Sequence, residues 1–413
     1  MSAKDVIAIV DPFSSGTQLA RDVKARGHDC IMVQSTAEIP ALYRSSFNAD
    51  SFDFIVHYQG DLDQTCDVLR GRQVRHVLAG SEVGVELADQ LSERLGLVTN
   101  GTRLSSARRN KRSMLNVLRD RGIRIPNSFS SRRWDAIEDW IRRHDRWPVV
   151  VKPLCSSASD GVRRCADRDE VHAAFRDIID RQDVFGSTNE EALVQEYITG
   201  TEYAVDTVSC AGRHKPVAYW QYSATAIDDA FLGKKSLQLI RHTASLDNRL
   251  FPYVVSVLDA LEIANGPAHC ELILSDTGPV IVEIGARPNG GNNPLLARIC
   301  GATDQLSLTL DSYLEPEKFL RQADRREETP RSAIRVFLTP SPQGRLKSPP
   351  HFEPVKRLES FHDLRFSAKP GQTLARIAGW VLLVHEDTEV LHRDLQELQT
   401  MEQNGLYDVE VMG

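Results

Sequence analysis

The chain has 413 residues, of which 41% are hydrophobic and 26% charged, ordinary proportions for a globular protein. The chain is longer than a typical domain with a single hydrophobic core, so we expect roughly two to four domains or subdomains. The net charge is −7, which disfavours a general nucleic-acid-binding protein.

The seven cysteines are scattered, without a CxxC pair or zinc-ligand spacing. We therefore expect reduced thiols in a cytoplasmic protein. Asp11-Pro12 interrupts the first apolar stretch, so no signal peptide is predicted. No window approaches the ~20 apolar residues that a membrane span requires, so no membrane association is predicted.

Residues 1–105 alternate short apolar segments with helical ones. Strands are predicted at Val6–Val10, Cys30–Val33, Phe54–Val56 and Val74–Ala79, and helices at Thr17–Arg26 and Glu82–Leu95. This alternation predicts a Rossmann-like parallel sheet with helices on its faces. The first strand runs into Asp11–Gly16 at the end of the sheet where α/β folds bind ligands. That turn is not GxGxxG, so a dinucleotide site is not expected.

The next segment carries basic residues. Ser105–Arg121 is predicted as one helix, and a charge run such as Arg108–Arg112 is usually a solvated face. Trp147–Pro153 is predicted as a short buried strand, where Lys152 either has an anionic partner or extends its ammonium to water. Small residues at Ser156–Val162 follow, and their free backbone N–H groups can fold over phosphates, although such turns are common.

The segment Cys270–Asn293 predicts a hairpin with its turn at Ser275–Gly278. Each apolar strand carries one carboxylate, Glu271 or Glu283. Two carboxylates on paired strands can hold hard cations, which often accompany nucleotide phosphates. The alternative is two strand-edge glutamates that face water.

Other predicted elements flank this hairpin. Upstream are strands at Ala192–Tyr197, Glu202–Cys210 and Val217–Ala226 and a helix at Phe251–Ile263. Downstream, a charged linker after Glu315 precedes strands near Ile334–Leu338 and Ala378–Val384 and a helix near Leu391–Gln403. We interpret the C-terminal part as a small α+β subdomain without recognisable chemistry.

Six segments in order make a specific signal: Asn110-Lys111, Val149–Pro153, Ser156–Val162, Gln195–Ile198 with Gly200–Glu202, His269–Glu271, and Glu283–Gly291. With them the chain resembles the ATP-grasp superfamily of carboxylate–amine ligases. The closest likeness is to the dipeptide-forming L-amino-acid ligases, a group that includes carnosine synthase-type enzymes. The resemblance covers residues 1–310 and, more loosely, the remainder. It implies a Rossmann-like pre-ATP-grasp domain (1–105), a lid subdomain with a connecting helix (106–191), a catalytic subdomain (192–315) and a C-terminal α+β subdomain (330–413).

The resemblance also implies roles in nucleotide binding. Lys111 and Lys152 would hold the phosphates and the adenine side of the cleft. The mobile flap over the phosphates would be Ser156, Ser157, Ser159 and Gly161. The hinge that meets adenine would be Gln195, Glu196, Tyr197 and Ile198, and Glu202 would accept the ribose hydroxyls.

Metal and catalytic roles follow from the same resemblance. Glu271 and Glu283 would bind Mg²⁺, with Mn²⁺ possible. The catalytic residues would be Arg287, which faces the transferred phosphoryl group, Lys152 and Ser157. Many members place Asn two residues after the second glutamate as a further metal ligand, where this chain has Gly285. Either the cation keeps an extra water, or Asn289 supplies the missing ligand.

Substrate contacts are predicted at Glu82, His242, Arg287, Gly290 and Gly291. Glu82 would meet a substrate ammonium, although as the first residue of a helix it also simply favours the dipole. His242 would line an amino-acid pocket, although a loop histidine is more often merely exposed.

These assignments predict an ATP-dependent L-amino-acid ligase that forms a dipeptide or similar amide through an acyl phosphate and releases ADP and phosphate. One alternative is a ligase or carboxylase acting on another carboxylate, as in the purine pathway. The other is a non-catalytic nucleotide-binding protein, against which the intact Lys152, Glu271, Glu283 and Arg287 argue. The expected partners are small molecules, with a homodimer as a possible assembly.

Overall fold

The computed structural model describes residues 4–156, 159–228, 231–325, 329–340 and 344–410, without the side chains of 224–228 and 231–234. The N-terminal strands are β1 (Val6–Val10), β2 (Asp29–Gln34), β3 (Phe54–His57) and β4 (Val74–Ala79). They form a parallel sheet in the order β3-β2-β1-β4. The accompanying helices are α1 (Ser15–Ala25), α2 (Leu62–Gly71) and α3 (Val85–Leu95). The predicted Rossmann-like sheet is confirmed.

Close backbone packing brings the segment before α3 onto the end of β1. A Cβ added to Gly84 would lie 2.5 Å from the carbonyl oxygen of Val10, so only glycine allows this approach. Glu82, in the 3₁₀ turn Glu82–Gly84, is thereby held beside the carboxyl end of the parallel sheet.

A large antiparallel sheet follows. Its strands are β5 (Ser128–Ser131), β6 (Val149–Pro153), β7 (Arg163–Cys165), β8 (Ala192–Glu196), β9 (Thr201–Cys210), β10 (Arg213–Asp228), β11 (Phe231–Ile240), β12 (Gly266–Ser275) and β13 (Gly278–Gly285). They lie in the order β13-β12-β9-β10-β11-β7-β6-β8-β5. The helices of this region are α4 (Lys111–Asp120), α5 (Trp134–His144), α6 (Arg168–Ile178) and α7 (Ala244–Ala260).

Two of the hydrophobic cores on this sheet lie at its β6–β8 part and at its β9–β12 part. Ile137 of α5 and Val171 of α6 pack on Val149 and Val194 around β6 and β8. Met114 of α4 and Val254 of α7 belong to a separate core with one face of β9 and β12. On β12, the residues that alternate with this core lie on the opposite face of the sheet, and buried polar side chains are among them.

The predicted helix Ser105–Arg121 is interrupted. A 3₁₀ turn covers Ser106–Arg108, and α4 begins only at Lys111. Asn110 caps the new helix, because its side chain accepts a hydrogen bond of 3.1 Å from the backbone N–H of Ser113. The break brings both Arg109 and Lys111 to the cleft described below, so this basic run is not simply a solvated face.

The C-terminal part continues the large sheet. The remaining elements are α8 (Asn293–Ile299), α9 (Gln305–Leu314), α10 (Pro316–Gln322), β14 (Ser332–Leu338), β15 (Arg345–Leu346), α11 (Glu353–Lys356), β16 (Phe361–Phe366), β17 (Gly379–His385), α12 (Thr388–Gln403) and β18 (Val409–Glu410). β14 pairs with β11 on one side and β17 on the other. The predicted strands and helix are present, but the sequence did not indicate their pairing with β11. Within the described ranges, no helix is long and apolar enough to cross a bilayer.

Candidate active site

Glu271 of β12 and Glu283 of β13 lie directly opposite each other in the antiparallel register of the hairpin. Cross-strand neighbours of this kind place their Cβ atoms roughly 5 Å apart on one face of the sheet. Glu271 is 8% exposed. Two carboxylates side by side in such surroundings repel each other, so the site requires cations nearby.

Lys111 supplies one of those cations. Its Nζ lies 2.6 Å from Oε2 of Glu283 and donates to the carbonyl oxygen of Ser156 at 3.2 Å. Burial lowers the pKa of Lys111, but Glu283 outweighs that effect and the net pKa is raised. Burial alone would raise the pKa of Glu283, but the neighbouring charge and hydrogen bond of Lys111 outweigh this effect, so the net pKa is lowered. Both groups are therefore charged at neutral pH.

Lys152 of β6 is a second buried cation, only 4% exposed. Burial and the neighbouring charge of Lys111 lower its pKa to about 8, while Glu283, Glu271 and Glu202 counteract this only in part. A further anion beside Lys152 would restore its pKa, as a nucleotide phosphate would do.

Glu271 is held by groups to which the sequence analysis assigned no role. It accepts a hydrogen bond from the Tyr222 hydroxyl at 3.1 Å, and Nε2 of His269 lies 3.2 Å from Oε1. The other ring nitrogen of His269 lies 2.7 Å from Asp206. Burial lowers the pKa of His269, but the two carboxylates raise it to about 9. The sequence did contain a signal for these groups. Residues an even number of positions apart on a strand share one face of the sheet. Asp206 stands four residues from Glu202, and His269 stands two residues from Glu271.

The same network continues to Asn289. Its amide nitrogen donates to Asp206 at 3.0 Å, and its amide oxygen accepts from Asn293 at 3.1 Å. Asn293 in turn accepts a hydrogen bond of 2.5 Å from Arg335 of β14. The structure thus places Asn289 in a buried chain of hydrogen bonds, and its role as a metal ligand stays a prediction.

Arg287 forms an ion pair with Glu82. Nε of Arg287 lies 2.8 Å from Oε2 of Glu82, and the two side chains are 13% and 12% exposed. Burial lowers the pKa of Arg287, but Glu82 and other neighbours more than offset this, so the guanidinium stays charged. A Cβ added to Gly285 would lie 2.9 Å from Oε2 of Glu82 and 3.2 Å from Nε of Arg287. Gly285, the departure from the expected asparagine, therefore leaves room for this ion pair.

Residues of both ion pairs line one cleft. The residues that line it are Glu82, Arg109, Lys111, Met114, Ser156, Glu283, Ile284, Gly285 and Arg287. The structure therefore brings together residues predicted for the phosphates, the metal and the substrate. Arg109 was not among the predicted site residues.

The loop after β13 is held from two sides. The backbone N–H of Gly291 donates to the hydroxyl of Ser14 at 2.8 Å, and that of Asn292 to the hydroxyl of Ser15 at 3.1 Å. From the other side, Arg335 donates to the carbonyl oxygen of Gly291 at 2.8 Å. The turn after β1 thus contacts the predicted substrate loop at Gly290 and Gly291.

The flap residues are described in part, since Ser157 lies outside the described residues. Ser156 is buried and donates to Asp160 at 2.6 Å. Ser159 and Gly161 both have positive φ, 58° and 66°. These values are typical of a tight turn, and contact with phosphates stays a prediction.

The predicted hinge follows β8. Gln195 is buried, and Oε1 of Glu196 accepts a hydrogen bond of 2.8 Å from the backbone N–H of Asn127. Tyr197 is exposed, with the Arg164 guanidinium 5.5 Å from its ring centroid. Ile198 and Glu202 are half-buried, and their predicted adenine and ribose contacts remain predictions.

His242 lies elsewhere. Its ring packs edge-on against Tyr219 at 4.8 Å, and its Nε2 lies 3.1 Å from the carbonyl oxygen of Val217. It is not one of the residues that line the described cleft. Its position therefore does not support the predicted substrate contact.

A divalent cation would fit between the two glutamates only with help from a ligand. Among the residues that the structure describes, no three or more His, Cys, Asp or Glu side chains form a cation site. Glu271 and Glu283 offer the hard oxygen donors that such ions prefer, and phosphate oxygens and water complete the shell in many nucleotide sites. The donor set suits a phosphate-bridging ion better than a closed protein cage.

Comparison with known proteins decides the family. Residues 145–294 match the model of the ATP-grasp domain. Over 415 aligned residues the chain is 31% identical to dapdiamide A synthase of Enterobacter agglomerans, an alignment that covers 97% of each protein. The chain belongs to the ATP-grasp carboxylate–amine ligases.

Solved structures agree on the fold of this ATP-grasp ligase. An L-amino acid ligase from Bacillus licheniformis superposes with a TM-score of 0.75 at 19% identity, covering 100% of both chains. N5-carboxyaminoimidazole ribonucleotide synthetase from Thermotoga maritima gives 0.65 at 16% identity, covering 96% of this chain and 98% of the other.

The predicted family and enzyme class are confirmed. This ATP-grasp ligase joins a carboxylate to an amine at the expense of ATP and forms ADP. It acts on small molecules, and its family uses ATP with a divalent metal in general.

Proposed function

We propose that this ligase is an L-amino-acid ligase that forms a dipeptide or similar amide. The observation that carries the proposal is the cleft in which the Lys111–Glu283 pair stands beside the Arg287–Glu82 pair. The Lys111–Glu283 pair offers a positive charge to the nucleotide phosphates. The Arg287–Glu82 pair offers a positive and a negative charge to a small polar substrate. The full-length similarity to a synthase of dapdiamide A supports an amide product.

In the first half-reaction, the substrate carboxylate attacks the γ-phosphorus of ATP and yields an acyl phosphate and ADP. Lys111 and Lys152 hold the phosphates, and Arg287 faces the transferred group. Glu271 and Glu283 would hold a divalent cation, Mg²⁺ or Mn²⁺, which would neutralise phosphate charge. Phosphoryl transfer needs this neutralisation and in-line positioning more than covalent help.

In the second half-reaction, the amine attacks the acyl carbon and phosphate leaves. We propose that the lid subdomain (106–191) closes over the catalytic subdomain (192–315) and excludes the water that would hydrolyse the acyl phosphate. Neither step requires a covalent bond to the protein, so the cysteines are dispensable. We propose that Glu82 meets a substrate ammonium, and its ion pair with Arg287, at 2.8 Å between Nε and Oε2, supports a fixed position for the carboxylate.

The experiment is a phosphate-release screen over pairs of L-amino acids with ATP and Mg²⁺. The expected result is release that depends on both amino acids, with a mass-confirmed amide product. Arg287→Ala should abolish release, whereas Arg112→Ala, which changes an exposed arginine on α4 paired with Glu191, should retain it. Release supported only by carboxylates and amines that are not amino acids would contradict the proposal.

We also propose a cytoplasmic enzyme, with a homodimer as a possible assembly. The charge, the scattered cysteines and the predicted absence of a membrane span support the location. Light scattering of the purified chain at micromolar concentration measures the assembly, and a mass of one chain would contradict the dimer.

A further inference from the structure

Among the described residues that line the cleft, Arg109 is the cation for which the structure shows no direct anionic partner. Lys111 contacts Glu283 and Arg287 contacts Glu82. Among the described residues, no carboxylate lies within ion-pair distance of Arg109, and its buried Nε has no hydrogen-bond partner. A guanidinium in a cleft that lacks such partners is costly, unless a ligand supplies the acceptor.

The charge of Asp11 acts on Arg109, but the Asp11 carboxylate already accepts hydrogen bonds from another residue. One carboxylate oxygen of Asp11 accepts from the backbone N–H of Ser35 at 2.8 Å, and the other accepts from the Ser35 hydroxyl. Arg109 interacts with Asp11 only through its longer-range charge. The forked donor set of Arg109 is thus available to an anion that enters the cleft.

We propose that Arg109 binds the α-carboxylate of the amino acid whose amine attacks the acyl phosphate, an inference that rests on the proposed function. A guanidinium pairs with a carboxylate through two parallel hydrogen bonds, which fixes orientation as well as charge. Glu82, which lines the same cleft, is the complementary group for an ammonium. Lys111, which pairs with Glu283, and the buried Lys152 are the cations assigned to the phosphates, so the phosphates do not require Arg109.

A phosphate of the nucleotide would offer Arg109 the same kind of anionic oxygen acceptor as a carboxylate. Kinetic measurements distinguish the substrate carboxylate from the phosphate. The twenty common L-amino acids are first screened in pairs with ATP and Mg²⁺. The amino acid that serves as the amine partner is then assayed as the free acid and as its primary amide, for the wild type, Arg109→Gln and Arg109→Lys. KM for ATP is measured in every case.

The expected result is a loss of about 10- to 100-fold in kcat/KM for the free acid in Arg109→Gln, as for a lost charge-assisted hydrogen bond. Activity with the amide and KM for ATP should stay within about threefold. Arg109→Lys, which keeps the charge without the fork, should be intermediate. Arg119→Gln, an exposed arginine of α4 that donates to Asn116, is the matched control and should resemble the wild type.

Several outcomes overturn the inference. An equal loss with acid and amide, or a raised KM for ATP, assigns Arg109 to the phosphates. If a folded Arg109→Gln keeps the wild-type ratio of kcat/KM for the free acid to that for the amide, the inference is wrong. The proposed function still stands in that case, provided that the wild type is active with amino acids. A wild type that releases no phosphate with any amino-acid pair removes both. Thermal unfolding of each variant shows whether the fold is retained, and Arg109→Lys decides the case if Arg109→Gln unfolds.

Discussion

The two ion pairs of the cleft have nearly the same length but different origins. Lys111–Glu283, at 2.6 Å, joins two residues that sequence motifs identified. Arg287–Glu82, at 2.8 Å, joins positions 205 residues apart and connects the N-terminal sheet to the loop after β13. We call the side of the cleft at Lys111–Glu283 the nucleotide wall and the side at Arg287–Glu82 the substrate wall. All four residues were predicted from the sequence, but the nucleotide wall joins α4 to the hairpin, whereas the substrate wall requires the N-terminal parallel sheet to meet the loop after β13.

The largest expected effect lies in the nucleotide wall. Glu283→Ala removes a carboxylate that pairs with Lys111 and faces Glu271. Loss of one such group should lower kcat by about 10³-fold or more, because it removes charge organisation at the phosphates. Steady-state ADP release measures the effect, and circular dichroism checks the fold. Near-normal turnover in a folded Glu283→Ala would refute the assignment of this site.

A smaller loss is expected from Gly285→Ala, which tests the substrate wall. The new Cβ would lie 2.9 Å from Oε2 of Glu82 and 3.2 Å from Nε of Arg287, so one or both side chains must shift and the geometry of the ion pair changes. We expect kcat/KM for the amino acid to fall about 10- to 100-fold, with KM for ATP nearly unchanged.

Glu82→Gln serves as the companion variant, because it weakens the same ion pair without adding an atom. Similar losses in both variants indicate that the pair itself is what Gly285 protects. A large loss in Gly285→Ala beside normal activity in Glu82→Gln would assign the effect to the backbone instead.

Asp11 gives a pH-dependent prediction for the end of β1. Burial raises its pKa to about 6, although the hydrogen bonds from Ser35 lower it in part. The native state then binds more protons than the unfolded state between pH 4 and 6, so this group costs stability as pH rises through that range. Asn cannot ionise, so the free energy of unfolding of Asp11→Asn, compared with that of the wild type, should rise by up to about 3 kcal/mol from pH 4 to pH 7.5.

Urea unfolding at the two pH values measures that gain. The control is Asp61→Asn, which changes an exposed helix-capping carboxylate of α2. A difference between wild type and Asp11→Asn that stays constant with pH, or that grows in the opposite direction, would show that Asp11 is charged without cost.

The smallest effect is expected at Cys155. Its thiol lies beside the nucleotide wall and accepts a hydrogen bond of 3.3 Å from Asn110. Burial raises the pKa of the thiol, so it is neutral at pH 7 and a poor nucleophile. Cys155→Ser should keep turnover within about threefold, since a hydroxyl can accept the same hydrogen bond. An inactive, folded variant would mean that the acyl group is carried on sulfur.

The hairpin and its two glutamates were predictable because the signals are local. Glu271 and Glu283 stand in apolar strands around a turn, and Lys152 stands in a run of valines. Their mutual approach follows from strand pairing alone. The segmentation into strands and helices was likewise largely readable from apolar spacing and turns.

The missing parts depend on contacts between distant segments. The break before Lys111 requires Asn110 to cap α4 rather than to continue a helix, and both conformations suit this sequence. His242 looked like an exposed loop residue or a pocket residue, but the Tyr219 ring covers it. In the sequence, Arg109 is only one member of a run of basic residues. That it has no anionic partner among the described residues becomes visible only in the structure.

The pairing of Ser332–Leu338 with the neighbouring strand limits how this chain can be shortened or recombined. Deleting the C-terminal region would uncover the edge of β11 at Ser236–Leu239, and such an unprotected edge invites aggregation. It would also withdraw Arg335 from Gly291 and Asn293. A chimera with a relative would therefore have to import both a compatible strand and a guanidinium at this position.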